Sequence, residues 1–310
     1  MPAKPRVLVA ISMHPEACAR LQEVADVQSW PADLRGLREV IGGYDGLIVY
    51  SARFDREVFS EARRLKVMSC HSYAEELLAT ATQRGVRVTR VPSLWDTVAD
   101  MALALIFSAA RMIPQAHAAV KAGLWGRGDL KVGFSGYDVF GKTLGIAGLG
   151  RIGAALARRV QGFEMRILYC DIIRKPELER ELHLEYRTLE QLLAEADIVS
   201  IQLPLREETR GLIGEREFRL MKRDAILVNT ARGAILDERA LCRALQERWI
   251  AAAGLDVYAE EPIRADNPLL TLENVVLAPH LGGSTKECDL VLVEDSIRVL
   301  TGQEPLHPVN

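Results

Sequence analysis

Three short apolar runs in the second half of the chain each lead into a side chain able to do chemistry. Ala225–Thr230 leads to Arg232, Ala253–Val257 to Glu261, and Val275–Ala278 to His280. A guanidinium offers a planar fork of donors that grips a carboxylate and a neighbouring ketone oxygen. An imidazole has an intrinsic pKa near working pH and delivers a proton to a developing alkoxide. A carboxylate beside that imidazole stabilises its protonated form, raises its pKa and fixes which nitrogen faces outward. The three types suit one reaction, reduction of a 2-oxo acid by hydride: Arg232 as substrate anchor, His280 as acid/base and Glu261 as its partner.

A hydride needs a carrier, and Gly141 to Gly153, GKTLGIAGLGRIG, has the form of a carrier's site. The apolar run Thr143–Ala147 reads as a buried strand, the residues after Gly153 as a helix, and the turn between them is glycine-rich. Gly148 permits the tight turn, Gly150 removes the Cβ that would hold a pyrophosphate off the backbone, and Gly153 lets helix and strand pack closely. The N–H groups at the start of the following helix then bind phosphate. A second apolar run, Met165–Cys170, ends in Asp171, about 20 residues downstream, where an acid takes the hydroxyls of an adenosine ribose. Like-charge repulsion between Asp171 and a 2′-phosphate favours NAD over NADP, although Arg174 and Lys175 follow closely.

Ligands of open α/β sheets bind at the carboxyl ends of strands, so the positions of the three reactive side chains after strands bring them to the edge that carries the glycine turn. The rest of the chain supplies such elements. Strand-like runs at 6–11, 46–50, 65–69 and 85–89 alternate with helical segments, which predicts a parallel sheet in a first domain. A long apolar helix follows, capped by Asp96 or Thr97 and kinked or split by Pro114. Residues 123–140, rich in glycine and aromatics, read as an irregular arm. Between 142 and 280 the pattern gives about six parallel strands, the complement of a doubly wound dinucleotide-binding domain. A closing helix over roughly 284–300 returns the chain to the first domain. The expected fold class is therefore α/β, a doubly wound Rossmann NAD-binding domain (97–284) with a smaller flavodoxin-like α/β substrate domain (1–96 with 285–310) and a cleft between them.

With 310 residues, 49% hydrophobic and 26% charged, the composition is that of a globular protein with room for two cores. A net charge of −3 gives no reason to expect nucleic acid or an anionic membrane as a partner. The N-terminal residues MPAKPRVLVAIS lack a signal-peptide core, and no apolar run is long enough to span a bilayer. Five cysteines, odd in number and without a CxxC pair, suit reduced thiols in a cytoplasm and exclude a zinc site of the usual spacing. The scattered His14, His117, His183 and His307 have no metal-ligand spacing either, so no metal is expected.

The stretches GLGRIG, LVNTARGAILDERAL, AAAGLDVYAEEP and NVVLAPHLGGSTKE, with Asp171, resemble the D-isomer-specific 2-hydroxyacid dehydrogenase family over nearly all of residues 90 to 300. The resemblance is nearest to glyoxylate and hydroxypyruvate reductases, through GYDVFGKTLGI and GFEMRILY, with phosphoglycerate dehydrogenases close behind. It implies Arg232, Glu261 and His280 as the catalytic set. It also implies cofactor contacts at Gly148, Gly150, Arg151, Ile152, Gly153, Asp171, Pro204, Thr230, Ala231, Asp256, Gly282 and Gly283, and a homodimer joined through 97–140. Where the family carries Gly-x-Gly-aromatic-Asp after the third strand, with backbone N–H groups that hold the substrate carboxylate, this chain has Cys70-His71-Ser72-Tyr73-Ala74. Cys70, His71 and Ser72 are therefore the expected substrate-side residues, in a pocket narrowed by their Cβ atoms. Two other readings share the motifs: an NAD-sensing binding protein of the co-repressor type and a phosphite-type dehydrogenase. The chain shows no disordered tail or appended partner-binding segment, which favours the enzyme, and loss of NADH absorbance against a panel of 2-oxo acids separates enzyme from scaffold.

Overall fold

The short apolar runs at the start of the chain lie side by side. β1 (Arg6–Ala10), β2 (Asp26–Ser29), β3 (Gly46–Ala52), β4 (Val67–Tyr73) and β5 (Arg87–Arg90) form an all-parallel sheet in the order β2-β1-β3-β4-β5, the flavodoxin-like order. The connections carry α1 (Pro15–Val24), α2 (Leu37–Val40), α3 (Glu57–Glu61) and α4 (Glu75–Gln83). These are features of a computed structural model, which describes residues 3–31, 34–52, 57–92, 94–125 and 133–310. Contacts divide the chain into two units, Met1–Leu94 with Gly283–Asn310, and Trp95–Gly282.

The second unit opens with α5 (Leu94–Arg111) and α6 (Ile113–Lys121), which meet at a bend of 62°. Met112 takes a left-handed conformation at the break, and Pro114 sits in the first turn of α6, where its missing N–H costs nothing. The split at Pro114 is thus as expected. The start is not: the helix begins at Leu94, ahead of the expected caps Asp96 and Thr97. Of the expected arm at 123–140, residues 126–132 lie outside the described residues.

The sheet of this unit contains β6 (Thr143–Ala147), β7 (Arg166–Cys170), β8 (Leu184–Tyr186), β9 (Ile198–Ile201), β10 (Ile226–Asn229), β11 (Ala252–Leu255) and β12 (Val275–Leu277). All pairings are parallel, in the order β12-β11-β10-β9-β6-β7-β8. Between them run α7 (Arg151–Arg159), α8 (Pro176–Leu182), α9 (Leu189–Glu195), α10 (Glu215–Leu220) and α11 (Glu238–Gln246). Strands β9, β10 and β11 are buried at every position because helices cover both faces. One apolar layer holds Leu192, Leu193, Phe218, Leu241 and Leu245, and the other Leu105, Ile106, Leu144 and Leu156. The sheet has seven strands where about six were expected; the extra one is the three-residue edge strand β8.

α12 (Lys286–Leu300) belongs to the first unit, where it packs on α1 and on β4. Leu292 and Val293 are fully buried there beside Val7, Ile48 and Leu21. Among the described residues no single helix is long and apolar enough to cross a membrane.

Candidate active site

Strand order reverses at β6: β7 lies on one side of it and β9 on the other. The crevice beyond the carboxyl ends of such a pair is where a doubly wound sheet takes its ligand. Gly148 leaves β6 with φ +99°, and a Cβ there would meet the Gln202 carbonyl at 2.6 Å. A Cβ on Gly153 would come within 2.3 Å of the Gly148 carbonyl, so turn and helix stay in contact only without one. Gly150 is the opposite case, since a Cβ there would find nothing within 4 Å. That side of the turn is open, and Gly150 provides no side-chain cap to α7. The first N–H groups of the helix, with Arg151 and Ile152 leading, therefore face a cradle that fits a pyrophosphate.

Asp171 closes the turn from the end of β7. Its carboxylate accepts the Leu149 N–H at 2.8 Å and the Ile173 N–H at 3.3 Å. Pro204 lies in the loop after β9, held by the Thr209 hydroxyl, which donates to its carbonyl at 2.7 Å. Thr230, 6% exposed, accepts from the Gln202 amide at 3.0 Å, which ties the ends of β9 and β10 together.

The same edge carries the reactive side chains. Asn229, fully buried at the end of β10, accepts from the Ala231 N–H at 3.0 Å and donates to the Arg232 carbonyl at 3.0 Å. This side-chain turn presents Arg232, whose Nη1 donates to the Ala231 carbonyl at 2.6 Å. Glycine must follow, because a Cβ on Gly233 would lie 1.9 Å from the Tyr258 backbone. After β11, the Tyr258 N–H donates to Glu261 Oε1 at 3.0 Å, and Glu261 Oε2 lies 2.7 Å from His280 Nδ1. Burial works against the charged form of Glu261. The His280 ring, the Tyr258 N–H and the Arg232 charge outweigh it and hold the pKa below the ordinary carboxylate value.

His280 has φ +56°, a left-handed conformation that a non-glycine residue keeps only when its surroundings impose it. Asp256, 1% exposed, imposes it from the end of β11: its carboxylate oxygens accept the Leu281 and Gly282 N–H groups at 2.7 Å each. Burial raises the Asp256 pKa against the pull of those two bonds. With Nδ1 on Glu261, Nε2 lies on the opposite edge of the ring, and the arrangement is an acid-backed imidazole with a guanidinium acting on the same carboxylate.

Cys70, His71 and Ser72, the residues expected on the substrate side, lie in the first unit and are not in a loop. Cys70, His71, Ser72 and Tyr73 are the second half of β4, and Ser51 pairs with Ser72. On the β3 side their backbone groups belong to the ladder, whereas the pairing with β5 ends at Cys70. Cys70 is fully buried and burial pushes its thiol pKa up to about 12, so it is a neutral donor to the Thr89 carbonyl at 3.6 Å. Ser72 donates to Ser51 at 3.0 Å. His71 is 7% exposed, its ring 4.7 Å from that of Tyr50, and neither ring nitrogen meets a partner at hydrogen-bonding geometry. Burial drives its pKa down to about 4, and the Gly283 backbone offsets part of that. Gly283 abuts this pair: a Cβ on it would meet the Tyr50 hydroxyl at 3.2 Å and His71 Cδ2 at 3.4 Å. Asn229 and Tyr258 escaped the sequence reading, since a strand-end asparagine and a backbone N–H leave no motif.

Sheet order and glycine cradle together define the class, a doubly wound dinucleotide-binding protein. Residues 103–282 match the family described as D-isomer specific 2-hydroxyacid dehydrogenase, NAD binding domain, and the chain belongs to that family. It is similar to a glyoxylate reductase of Korarchaeum cryptofilum, 43% identical over 99% of this chain and 96% of that protein. Among solved structures it is similar to a Thermus thermophilus protein, with TM-score 0.80, 38% identity and coverage of 98% of this chain and 100% of that one. It is also similar to an NADPH-dependent glyoxylate/hydroxypyruvate reductase of Sinorhizobium meliloti, solved with NADP and malonate, with TM-score 0.76, 28% identity and coverage of 99% and 97%.

Proposed function

We propose that the chain reduces glyoxylate or hydroxypyruvate to the corresponding 2-hydroxy acid, with Arg232, Glu261 and His280 as the working set. The observation that carries this reading is the 2.7 Å contact between Glu261 and His280, made on a carboxylate that also feels the Arg232 charge. When bound, NADH supplies the hydride. His280 holds a proton at Nε2 and delivers it to the ketone oxygen, Glu261 keeps the ring oriented through Nδ1, and the Arg232 fork binds the substrate carboxylate. The names of the relatives support glyoxylate. The first unit is proposed as the substrate domain, with His71 and Ser72 on the substrate side.

A homodimer through the 97–140 region is part of the same proposal. Its support is the apolar surface there, where Ile113 is 51%, Trp125 76% and Phe140 61% exposed. A cytoplasmic setting is proposed from the free cysteines. The test is oxidation of NADH against a panel of 2-oxo acids, together with His280→Gln. Turnover of glyoxylate or hydroxypyruvate is expected, and the variant loses ~10²–10⁴-fold in kcat with NADH affinity intact. A wild type that binds NADH tightly but turns over no 2-oxo acid refutes the proposal.

A further inference from the structure

The end of β7 carries a second device besides Asp171. Next in the chain come Ile172 and Ile173, 88% and 60% exposed, and then Arg174, the kind of side chain that accommodates a 2′-phosphate when it stands beside the ribose. Arg174 is occupied. Its Nε and Nη2 donate to Glu179 Oε1 and Oε2 at 2.8 and 2.9 Å, fork to fork. The Tyr169 hydroxyl donates to Glu179 Oε1 at 2.6 Å and accepts the Lys175 N–H at 2.8 Å. The Tyr169 ring is fully buried and packs edge-on against Tyr186, and the Arg174 guanidinium lies 5.8 Å over the Tyr186 ring. Glu179 stands in the first turn of α8 with its side chain 14% exposed. Arg174 and then Tyr169 bring its pKa down to about 2, so it is a carboxylate at any working pH.

We propose that Glu179, anchored by Tyr169, is a cofactor-specificity residue: it clasps Arg174 and so withholds the nearby guanidinium from a 2′-phosphate. The ribose edge is then left with the Asp171 carboxylate and two isoleucines, a surface for the unphosphorylated ribose of NADH. The inference rests on Asp171 facing that ribose. The Arg174 end of the clasp is 64% exposed, so its effect is bounded at about two- to fivefold in affinity.

The experiment measures dissociation constants for NADH and NADPH by calorimetry, without 2-oxo acid, on the full chain. Glu179→Gln is expected to tighten NADPH about two- to fivefold and to leave NADH affinity unchanged. Tyr169→Phe, which loosens the anchor and leaves the charge, is expected to give a smaller shift in the same direction. Arg174→Ala added to Glu179→Gln is expected to abolish the gain. A gain that survives in the double variant assigns it to Lys175 or to general charge and overturns the proposal, as does an unchanged NADPH affinity in both single variants. A wild type that binds neither dinucleotide overturns the cofactor site itself and the clasp with it, whereas NADH binding without 2-oxo acid turnover leaves the clasp standing and removes only the assigned reaction.

Discussion

Asp256→Asn is the substitution with the largest worked consequence, because one carboxylate holds the turn that carries His280. Wild-type Asp256 accepts two N–H groups at 2.7 Å while 1% exposed. An asparagine keeps one acceptor and turns an NH₂ group toward the other N–H. One charge-assisted bond is lost, about 1.5–3 kcal/mol, and two donors are left facing each other in a buried place, about 1–3 kcal/mol more. Part is recovered, since burial opposes the charge and raises the Asp256 pKa. The net cost is about 2–4 kcal/mol, which corresponds to a fall of about 5–15 °C in the transition of a unit of this size. A left-handed residue whose flanking N–H groups are released also leaves its conformation, so kcat falls about tenfold or more as the imidazole leaves its alignment. Scanning calorimetry and steady-state kinetics read the two effects separately. Stability within 0.5 kcal/mol of wild type, with kcat/KM unchanged to within about twofold, would refute the argument that Asp256 positions His280.

Two further perturbations separate cradle from scaffold, and one tests the buried histidine. The Cβ of Gly150→Ala meets no protein atom within 4 Å, so folding is expected to be unchanged while NADH affinity falls about tenfold by titration; unaltered affinity would place the phosphates elsewhere. Gly153→Ala drives a Cβ to 2.3 Å from the Gly148 carbonyl and is expected to cost about 1–3 kcal/mol in denaturant unfolding, where a neutral result would count against the packing role. His71→Phe keeps the ring on Tyr50 and removes two unpartnered nitrogens, and should stabilise the protein by about 1–3 kcal/mol at pH 7. The pH dependence is also signed. The folded pKa of about 4 lies below the unfolded value of 6.5, so the unfolded state takes the proton first and stability drains away as pH falls from about 6.5 toward 4. That gap corresponds to about 3 kcal/mol, expected in the wild type and missing from His71→Phe; parallel stability curves for the two proteins would contradict it.

The glycine turn, Asp171 and the strand-end Arg232, Glu261 and His280 were legible because their requirements are local. A positive φ or a forbidden Cβ is a property of one position, and a strand end follows from the apolar run before it. What stayed hidden is decided by neighbours distant in sequence. β2 has the polar sequence DVQS with no buried position, an edge strand that exists because β1 offers it a partner. The second half of β4, CHSY, falls after the strand expected at 65–69 and corresponds by resemblance to a loop, yet it is a strand because β3 runs beside it. Asp256 resembles a cofactor contact in sequence, and no spacing rule announces that its carboxylate also accepts two backbone N–H groups of the β12 loop. Asn229 likewise acts on the turn that presents Arg232, through bonds that no spacing rule announces.

The division of the chain has a consequence for biosynthesis. Trp95–Gly282 is continuous, so its seven strands are complete once Gly282 clears the ribosome. The other unit is made in two instalments. Its five strands are translated first, yet the helix that covers β4 and the segment that pairs with β5 come from Gly283–Asn310, where Val309 donates to the Val88 carbonyl at 2.8 Å and the Asn310 side chain accepts the Val88 N–H at 2.8 Å. During the synthesis of 188 intervening residues, Trp95 to Gly282, the Val7 and Ile48 face of the nascent sheet has Leu21 of α1 beside it but lacks Leu292 and Val293. That interval is when a holding chaperone has most to grip, and release of a finished second unit would precede maturation of the first.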